Sequence, residues 1–277
     1  MPISVDSAFA VCEETVRRHD PDRYLSALFA PAAQRPHLFA LYAFNQEIAR
    51  IAEAVREPMM AEIRLAWWRE VAAGAHREHD VAIALARMFE ATGAPAAMFE
   101  ALIDARSLDA AAETFADLPA LEAYVDASSG ALMRIAARLL GASSKIDSLS
   151  RSAGIGFGLT GLLRAIPFHA ARGKLYLPLD LMAQERLAPE EVFAGRGGDR
   201  LRAVIRRIAA EARIHLDAAG AFARPGGAMA AILPAATSRA YLKLLTRSDF
   251  DPFRTPAELP LWRRQIAMLA ANISGHI

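Results

Sequence analysis

The sequence predicts an all-α chain, and three observations carry that reading. Sixty-one of its 277 residues are alanine, the best helix former and one of the poorer strand residues. Apolar residues recur at helical spacing almost throughout, with breaks at proline and glycine. No stretch alternates apolar and polar residues in the way a half-buried strand demands. A hydrophobic content of 54% over this length fills a full core. With neither a low-complexity linker nor a repeat of fixed period, one domain over residues 1–277 is the simplest organisation.

Taken in order, the periodicity predicts helices over Val5–His19, Gln34–Arg56, Met59–Ala75, Val81–Thr92, Pro95–Leu108 and Leu118–Leu140. Further helices follow over Ser144–Ile166, Pro189–Phe193, Asp199–Phe222, Ala228–Leu245 and Pro260–Ala271. The least helical stretch is Arg172–Asp180, where Gly173 and Pro178 bracket a short extended run, expected as a loop crossing the surface. On the helix from Asp199, Leu201, Val204, Ile205, Ile208, Ala212 and Leu216 share one face. Arg202, Arg206 and Arg213 form a stripe beside it, either a surface for an acidic partner or anionic lipid, or a solvated flank whose stems cover the core edge. Ile63, Trp67 and Val71 share another face with Trp68 at its border, and both tryptophans are expected to pack.

The charge balance, 32 basic against 31 acidic residues, leaves +1. Phosphate backbones are bound by concentrated basic surface, so nucleic acid is not an expected partner. Cys12 is the single cysteine. An intrachain disulfide and a cysteine metal cage are both excluded, which suits a reducing, cytoplasmic setting. The opening MPISVDSAFAVCEE reads as neither a secretory signal nor a transit peptide. The longest uncharged apolar run, Gly226 to Thr237, is broken by Pro234 and falls short of the roughly 18 residues of a membrane span. Any membrane contact is therefore expected to be peripheral, on an inner membrane.

Among short motifs, Gly156-Phe157-Gly158-Leu159-Thr160-Gly161 satisfies GxGxxG literally. A dinucleotide site needs a strand before those glycines, and the polar, helix-like Ser143–Ala153 precedes them. Close helix packing is the better use for them. His76 and His79 flank Glu78 without evident third and fourth ligands, so HREHD reads as a solvated loop or helix end. Neither a Ser-His-Asp order nor a G-x-S-x-G elbow is present.

Two distant segments are more specific: LYAFNQEIARIAE at Leu41–Glu53 and GLLRAIPFHAARGKLYLP at Gly161–Pro178. With the Trp67-Trp68-Arg69 helix, His79–Leu85 and Glu122–Gly141, they resemble the squalene/phytoene synthase family of head-to-head prenyl synthases over nearly the whole chain. The GKLYLP run is the most specific piece. The resemblance implies an all-α isoprenoid-synthase fold around a central cavity. In that family two prenyl diphosphates are held by Mg²⁺, a hard cation that takes oxygen ligands from carboxylates on facing helices.

Here the clamp is degraded. After Tyr42-Ala43-Phe44, the family's first acidic motif falls on Ala49, Arg50 and Glu53. The family's Gln, Asn and two Asp of the second motif fall on Gly158, Gly161, Ala165 and His169. Arg164 keeps its identity, and Lys174, Tyr176, Leu177 and Pro178 preserve the following loop. Pro167, inside the second motif, should kink or end its helix. The replacements, with RSDFDPF at Arg247–Phe253 and LPLW at Leu259–Trp262, resemble the family's non-catalytic branch, typified by the mitochondrial assembly factor for respiratory complex I.

The leading expectation is therefore a pseudoenzyme without metal or catalytic residues, acting as an assembly factor or adaptor whose partners are complex I subunits or assembly intermediates. Its vestigial cavity would be lined by Tyr42, Ala49, Arg50, Glu53, Gly158, Gly161, Arg164, Ala165, His169, Lys174 and Tyr176. Arginine binds anionic head groups without metal, so a lipid or prenyl diphosphate is a candidate ligand. The bland alternative has Glu53 paired with Arg50 or Arg164, merely filling old space. A second reading keeps an Mg²⁺-dependent prenyltransferase, with Asp104, Asp109 or Asp126 replacing the lost acids. A third is a lipid- or isoprenoid-binding module.

Overall fold

The first helix, α1 (Val5–His19), shows how local chemistry sets the elements: the Ser4 hydroxyl accepts the Ser7 amide at 3.2 Å, and Arg17, Arg18 and His19 occupy its last turn, where cations suit the helix dipole. In this computed structural model residues 3–55, 57–111, 114–222 and 224–277 are described. The next helix, α2 (Pro21–Ala27), was not expected from periodicity. Asp20 caps it by accepting the Arg23 amide at 3.2 Å, and Pro21 occupies its first turn.

There follow α3 (Arg35–Ala54), α4 (Pro58–Ala72), α5 (Asp80–Thr92) and α6 (Ala96–Ala111). The expected Leu118–Leu140 helix is α7 (Leu118–Val125) and α8 (Ala131–Leu139), joined by a turn of π-helix at Asp126–Gly130. Then come α9 (Asp147–Arg164), α10 (Ile166–Ala170), α11 (Leu179–Gln184), α12 (Pro189–Phe193) and α13 (Gly198–Gly220). The expected Ala228–Leu245 helix divides into α14 (Met229–Ile232), a 3₁₀ stretch at Leu233–Thr237 holding Pro234, and α15 (Ser238–Leu245). The last is α16 (Leu261–Ser274). Among the described residues there is no strand, as the sequence predicts.

Helix α13 buries the predicted face, Leu201 through Leu216, and packs along α9. Two arginines of the stripe beside it are held by the protein's own groups, while Arg206 is exposed. Arg202 pairs with Asp199, and Arg213 donates to the Leu242 carbonyl at 3.2 Å and to Thr246 Oγ1 at 2.9 Å. On α4 the buried side is Ala61, Leu65, Trp68 and Val71, while Ile63 is 56% exposed. This corrects the expected face. α4 is apolar on more than one side, so periodicity alone does not choose which side enters the core.

The GxGxxG glycines lie inside α9, and two of them, Gly156 and Gly158, serve packing together with the preceding Gly154. A Cβ on Gly154 would come within 2.5 Å of Gly130 Cα, one on Gly156 would strike Leu216, and one on Gly158 would strike Val125 and Ser129. Gly161 alone of these faces open space. The glycines thus bring the π-turn and α13 against α9.

Candidate functional site

A cavity of about 260 Å³ opens among α2, α3, α6, the π-turn, α9, α10 and the Lys174–Tyr176 loop. Its polar wall is built around Asp109, which is only 6% exposed. Asp109 Oδ1 accepts from the hydroxyls of Tyr124 and Tyr176, each at 2.7 Å, and Oδ2 accepts from Arg106 Nη1 at 3.1 Å. Arg106 also donates to the Tyr124 oxygen at 3.0 Å and to Asn45 Oδ1 at 3.2 Å. Lys174 Nζ donates to the Asp109 carbonyl at 2.8 Å. A buried carboxylate beside a guanidinium is stable only when hydrogen-bonded, and these donors fill three of its roughly four lone-pair sites.

The loop that supplies Lys174 and Tyr176 departs from expectation. It does not cross the surface: Leu175, Leu177 and Pro178 are buried, and the Leu179 and Asp180 amides donate to the Phe115 and Ala116 carbonyls at 2.9 and 3.0 Å. Residues 175 and 177 enter the core, while the intervening Lys174 and Tyr176 face the cavity, the two-residue alternation of an extended chain. Burial and the nearby Asp109 charge push the Tyr176 phenol far above its ordinary value, so it remains a hydroxyl donor. Burial likewise lowers Lys174.

Pro167 acts as predicted. α9 stops at Arg164 and α10 starts afresh with the proline in its first turn. This places His169 on the cavity wall, its ring 4.4 Å from that of Tyr176 between centroids. Burial, reinforced by the Lys174 and Arg172 charges against the opposing pull of Asp109, lowers the imidazole to about 4. It is neutral at pH 7.

Of the residues expected around the cavity, Ala49, Glu53, Gly158, Gly161, His169, Lys174 and Tyr176 line it. Four do not. Tyr42 is buried in the core. Arg50 lies in a separate groove with Trp67, Trp68 and Arg64. Arg164 turns towards α16, 3.7 Å above the Tyr241 ring and 3.7 Å from Asp22, which also pairs with Arg264 at 3.0 Å. Ala165 sits in the break before α10 and is not part of the wall. Glu53 consequently pairs with neither Arg50 nor Arg164.

The sequence reading missed Arg23, Asn45, Arg106, Tyr124 and Arg172, all on the wall. A signal existed for two of the central residues. On α6, Phe99, Leu102, Ile103, Arg106 and Asp109 continue one stripe at helical spacing, and a charged pair on an otherwise core-facing stripe marks a buried polar site.

The donor set does not fit Mg²⁺. Both Asp109 oxygens are engaged by O–H and N–H donors, Glu53 stands exposed at the rim, and Arg23, Arg106, Arg172 and Lys174 bring four cationic side chains to the same wall. Asp104 pairs with Arg69 at 2.9 Å, and Asp126 pairs with Arg134 and Arg151 at 2.6 Å each, so neither replaces the lost acids. Among the described residues, the His/Cys/Asp/Glu group close enough to share a cation is Glu122, Glu211 and His215, none of which lines the cavity. His76 and His79 are not in it. His79 instead packs edge-on against Trp67 and Trp68.

Comparison with known proteins agrees with this architecture. The squalene/phytoene synthase family profile matches residues 16–265. The chain belongs to the squalene/phytoene synthase family. Within it, the human NADH dehydrogenase (ubiquinone) complex I assembly factor 6 is 28% identical over 249 residues, covering 87% of this chain and 75% of that protein. A 15-cis-phytoene synthase of Synechococcus elongatus is 24% identical, covering 98% and 95%. A dehydrosqualene synthase crystal structure superposes with a TM-score of 0.83 at 17% identity, covering 98% and 97%, which establishes the all-α isoprenoid-synthase fold.

Proposed function

We propose that the chain is a non-catalytic member of the squalene/phytoene synthase family that assists assembly of respiratory complex I. The observation that carries this reading is the state of Asp109, the buried carboxylate of the cavity, held by two tyrosine hydroxyls and a guanidinium. Ionising a prenyl diphosphate needs cations that take up the leaving charge, and with Asp109 engaged by its own donors the lining offers a single further carboxylate, Glu53 at the rim, to hold them. In this reading no metal cofactor is required. The resemblance to assembly factor 6 proteins of mammals and Dictyostelium discoideum supports the role. Among the described residues no helix is long and apolar enough to cross a membrane, and we place the chain at the surface of the membrane that holds the complex, on its cytoplasmic side.

A second reading concerns the cavity itself. A lining that combines Arg23, Arg172 and Lys174 with Ala52, Val125, Leu132 and Leu162 suits a ligand with an anionic head and an apolar tail. A lipid or a prenyl diphosphate held without turnover has that form.

Two experiments separate these roles from the synthase alternative. Purified protein incubated with Mg²⁺ and labelled farnesyl or geranylgeranyl diphosphate is expected to release no diphosphate, beside an active family control. A condensed hydrocarbon product would overturn the non-catalytic reading. Deleting the gene is expected to lower assembled complex I and membrane NADH oxidation while isoprenoid hydrocarbons stay normal. The reverse pattern would refute the assembly role.

A further inference from the structure

Helix α16 is apolar on two opposite faces. Its inner face places Met268 and Ala271 against Met229 and Leu233, and the Arg264–Asp22 pair at 3.0 Å ties it to α2. Its outer face carries Trp262, Ile266, Leu269 and Ile273, spaced four, three and four apart and so on one line. Trp262 is 56%, Ile266 57% and Ile273 71% exposed. Leu261, Leu28 and Phe29 widen the patch, and a groove of about 310 Å³ between α16 and the end of α2 is lined by Leu25, Leu28, Phe29, Met268 and Leu269 with Gln265 as its polar member. A helix apolar on two opposite faces normally has both of them covered.

We propose that this face lies on an anionic lipid bilayer, with the α16 stripe in the interfacial layer. Charge complementarity selects this occupant. The residues that build the face, 25–29 and 261–273, include no Asp or Glu in a chain that carries 31 acidic residues, and exposed Glu258 is the nearest acid in sequence before α16. Exposed Arg263 lies at one end of α16, its guanidinium 5.2 Å from the Trp262 ring. Exposed Arg224 packs across Gly275 at the other end. A row of aliphatic side chains, an indole, flanking guanidinium groups and no carboxylates is the composition that enters the head-group region of an anionic membrane. The groove has the apolar lining an acyl chain requires. A second copy of the chain on the same patch is the competing occupant, and the light-scattering arm of the test detects it.

The test is flotation of the full chain with vesicles of phosphatidylcholine alone and of phosphatidylcholine with phosphatidylglycerol, read with Trp262 fluorescence. The expected result is at least about tenfold stronger partitioning onto the anionic vesicles, with a blue shift that Trp262→Phe abolishes. Ile266→Asp, and separately Ile273→Asp, should reduce binding by at least about tenfold. Both positions are exposed, so circular dichroism and the unfolding midpoint should not move. Binding to neither vesicle overturns the proposal. So does equal binding by the Asp variants, or a dimer in light scattering that the same substitutions dissolve. Because the readout is lipid partitioning, it stands or falls separately from the complex I role.

Discussion

Replacing Asp109 by Asn tests the reading of the cavity most directly. The substitution keeps the shape and removes the charge that Arg106 faces at 3.1 Å. It also swaps an acceptor-only carboxylate, which serves two tyrosine hydroxyls and a guanidinium, for an amide that is half donor. Removing one partner of a buried ion pair leaves an uncompensated charge and costs about 3–5 kcal/mol, a large part of the roughly 5–15 kcal/mol that holds a domain folded. At about 2–4 °C per kcal/mol for a chain of this size, the melting temperature should fall by roughly 10 °C. The converse change, Arg106→Met, should cost a comparable amount, because it leaves the Asp109 charge buried without its counter-ion. Urea unfolding followed by far-ultraviolet circular dichroism measures both variants. A loss below about 1 kcal/mol for either variant would refute the argument that Asp109 is committed to this network.

Three further outcomes are expected. Gly161→Ala, whose new methyl meets no atom within 4 Å, should stabilise α9 by about 0.5–1 kcal/mol, whereas Gly154→Ala, forced against Gly130 at 2.5 Å, should destabilise by about 1–3 kcal/mol or more; equal effects in thermal melts would contradict the packing role of these glycines. His169 is held neutral because burial lowers it from 6.5 to about 4, so between those values the unfolded chain binds a proton that the folded chain refuses. Its contribution is complete above pH 6.5 and declines by up to about 3 kcal/mol towards pH 4, a loss that His169→Phe should remove from unfolding curves taken at neutral and acid pH. Finally, Ala49 and His169 face the cavity and Ala165 does not, so adding Ala165→Asp to an Ala49→Asp, His169→Asp double variant should change Mg²⁺ affinity by less than about twofold in calorimetry; a gain of about tenfold would mean that the wall retains the geometry of a synthase clamp.

The fold was legible because its strongest signals are local. Alanine content, helical periodicity, the Pro167 break and the buried face of α13 each follow from residues within a few turns of one another. What was not legible locally was α2, whose seven residues are too few to show a period and whose evidence is the Asp20 cap followed by Pro21. The sidedness of α4 also escaped, because Ile63, Leu65, Trp67 and Trp68 point around its circumference, and the tertiary neighbours select the winning face.

The site failed differently, and the failure is informative. The positions of the second motif lie on two helices, because the chain breaks at Ala165, before Pro167. Residues after the break therefore follow a new axis, which brings His169 to the wall and leaves Ala165 off it. Arg164, the position that kept its identity, is used by the Asp22, Tyr241 and Arg264 cluster that fastens α16. Keeping that arginine is thus explained by the scaffold rather than by diphosphate chemistry. The residues that decide the character of the cavity come from four separated segments: Asn45, the Arg106–Asp109 pair, Tyr124, and the Lys174–Tyr176 loop. None forms a motif alone, and their meaning lies in one carboxylate satisfied by donors that converge only after folding. The same convergence explains how the synthase scaffold survives without the clamp. Where acidic motifs would hold cations across the cavity, hydrogen bonds from Tyr124, Tyr176 and Arg106 now join α6, α7 and the extended loop, so the cavity wall is held by the protein's own donors.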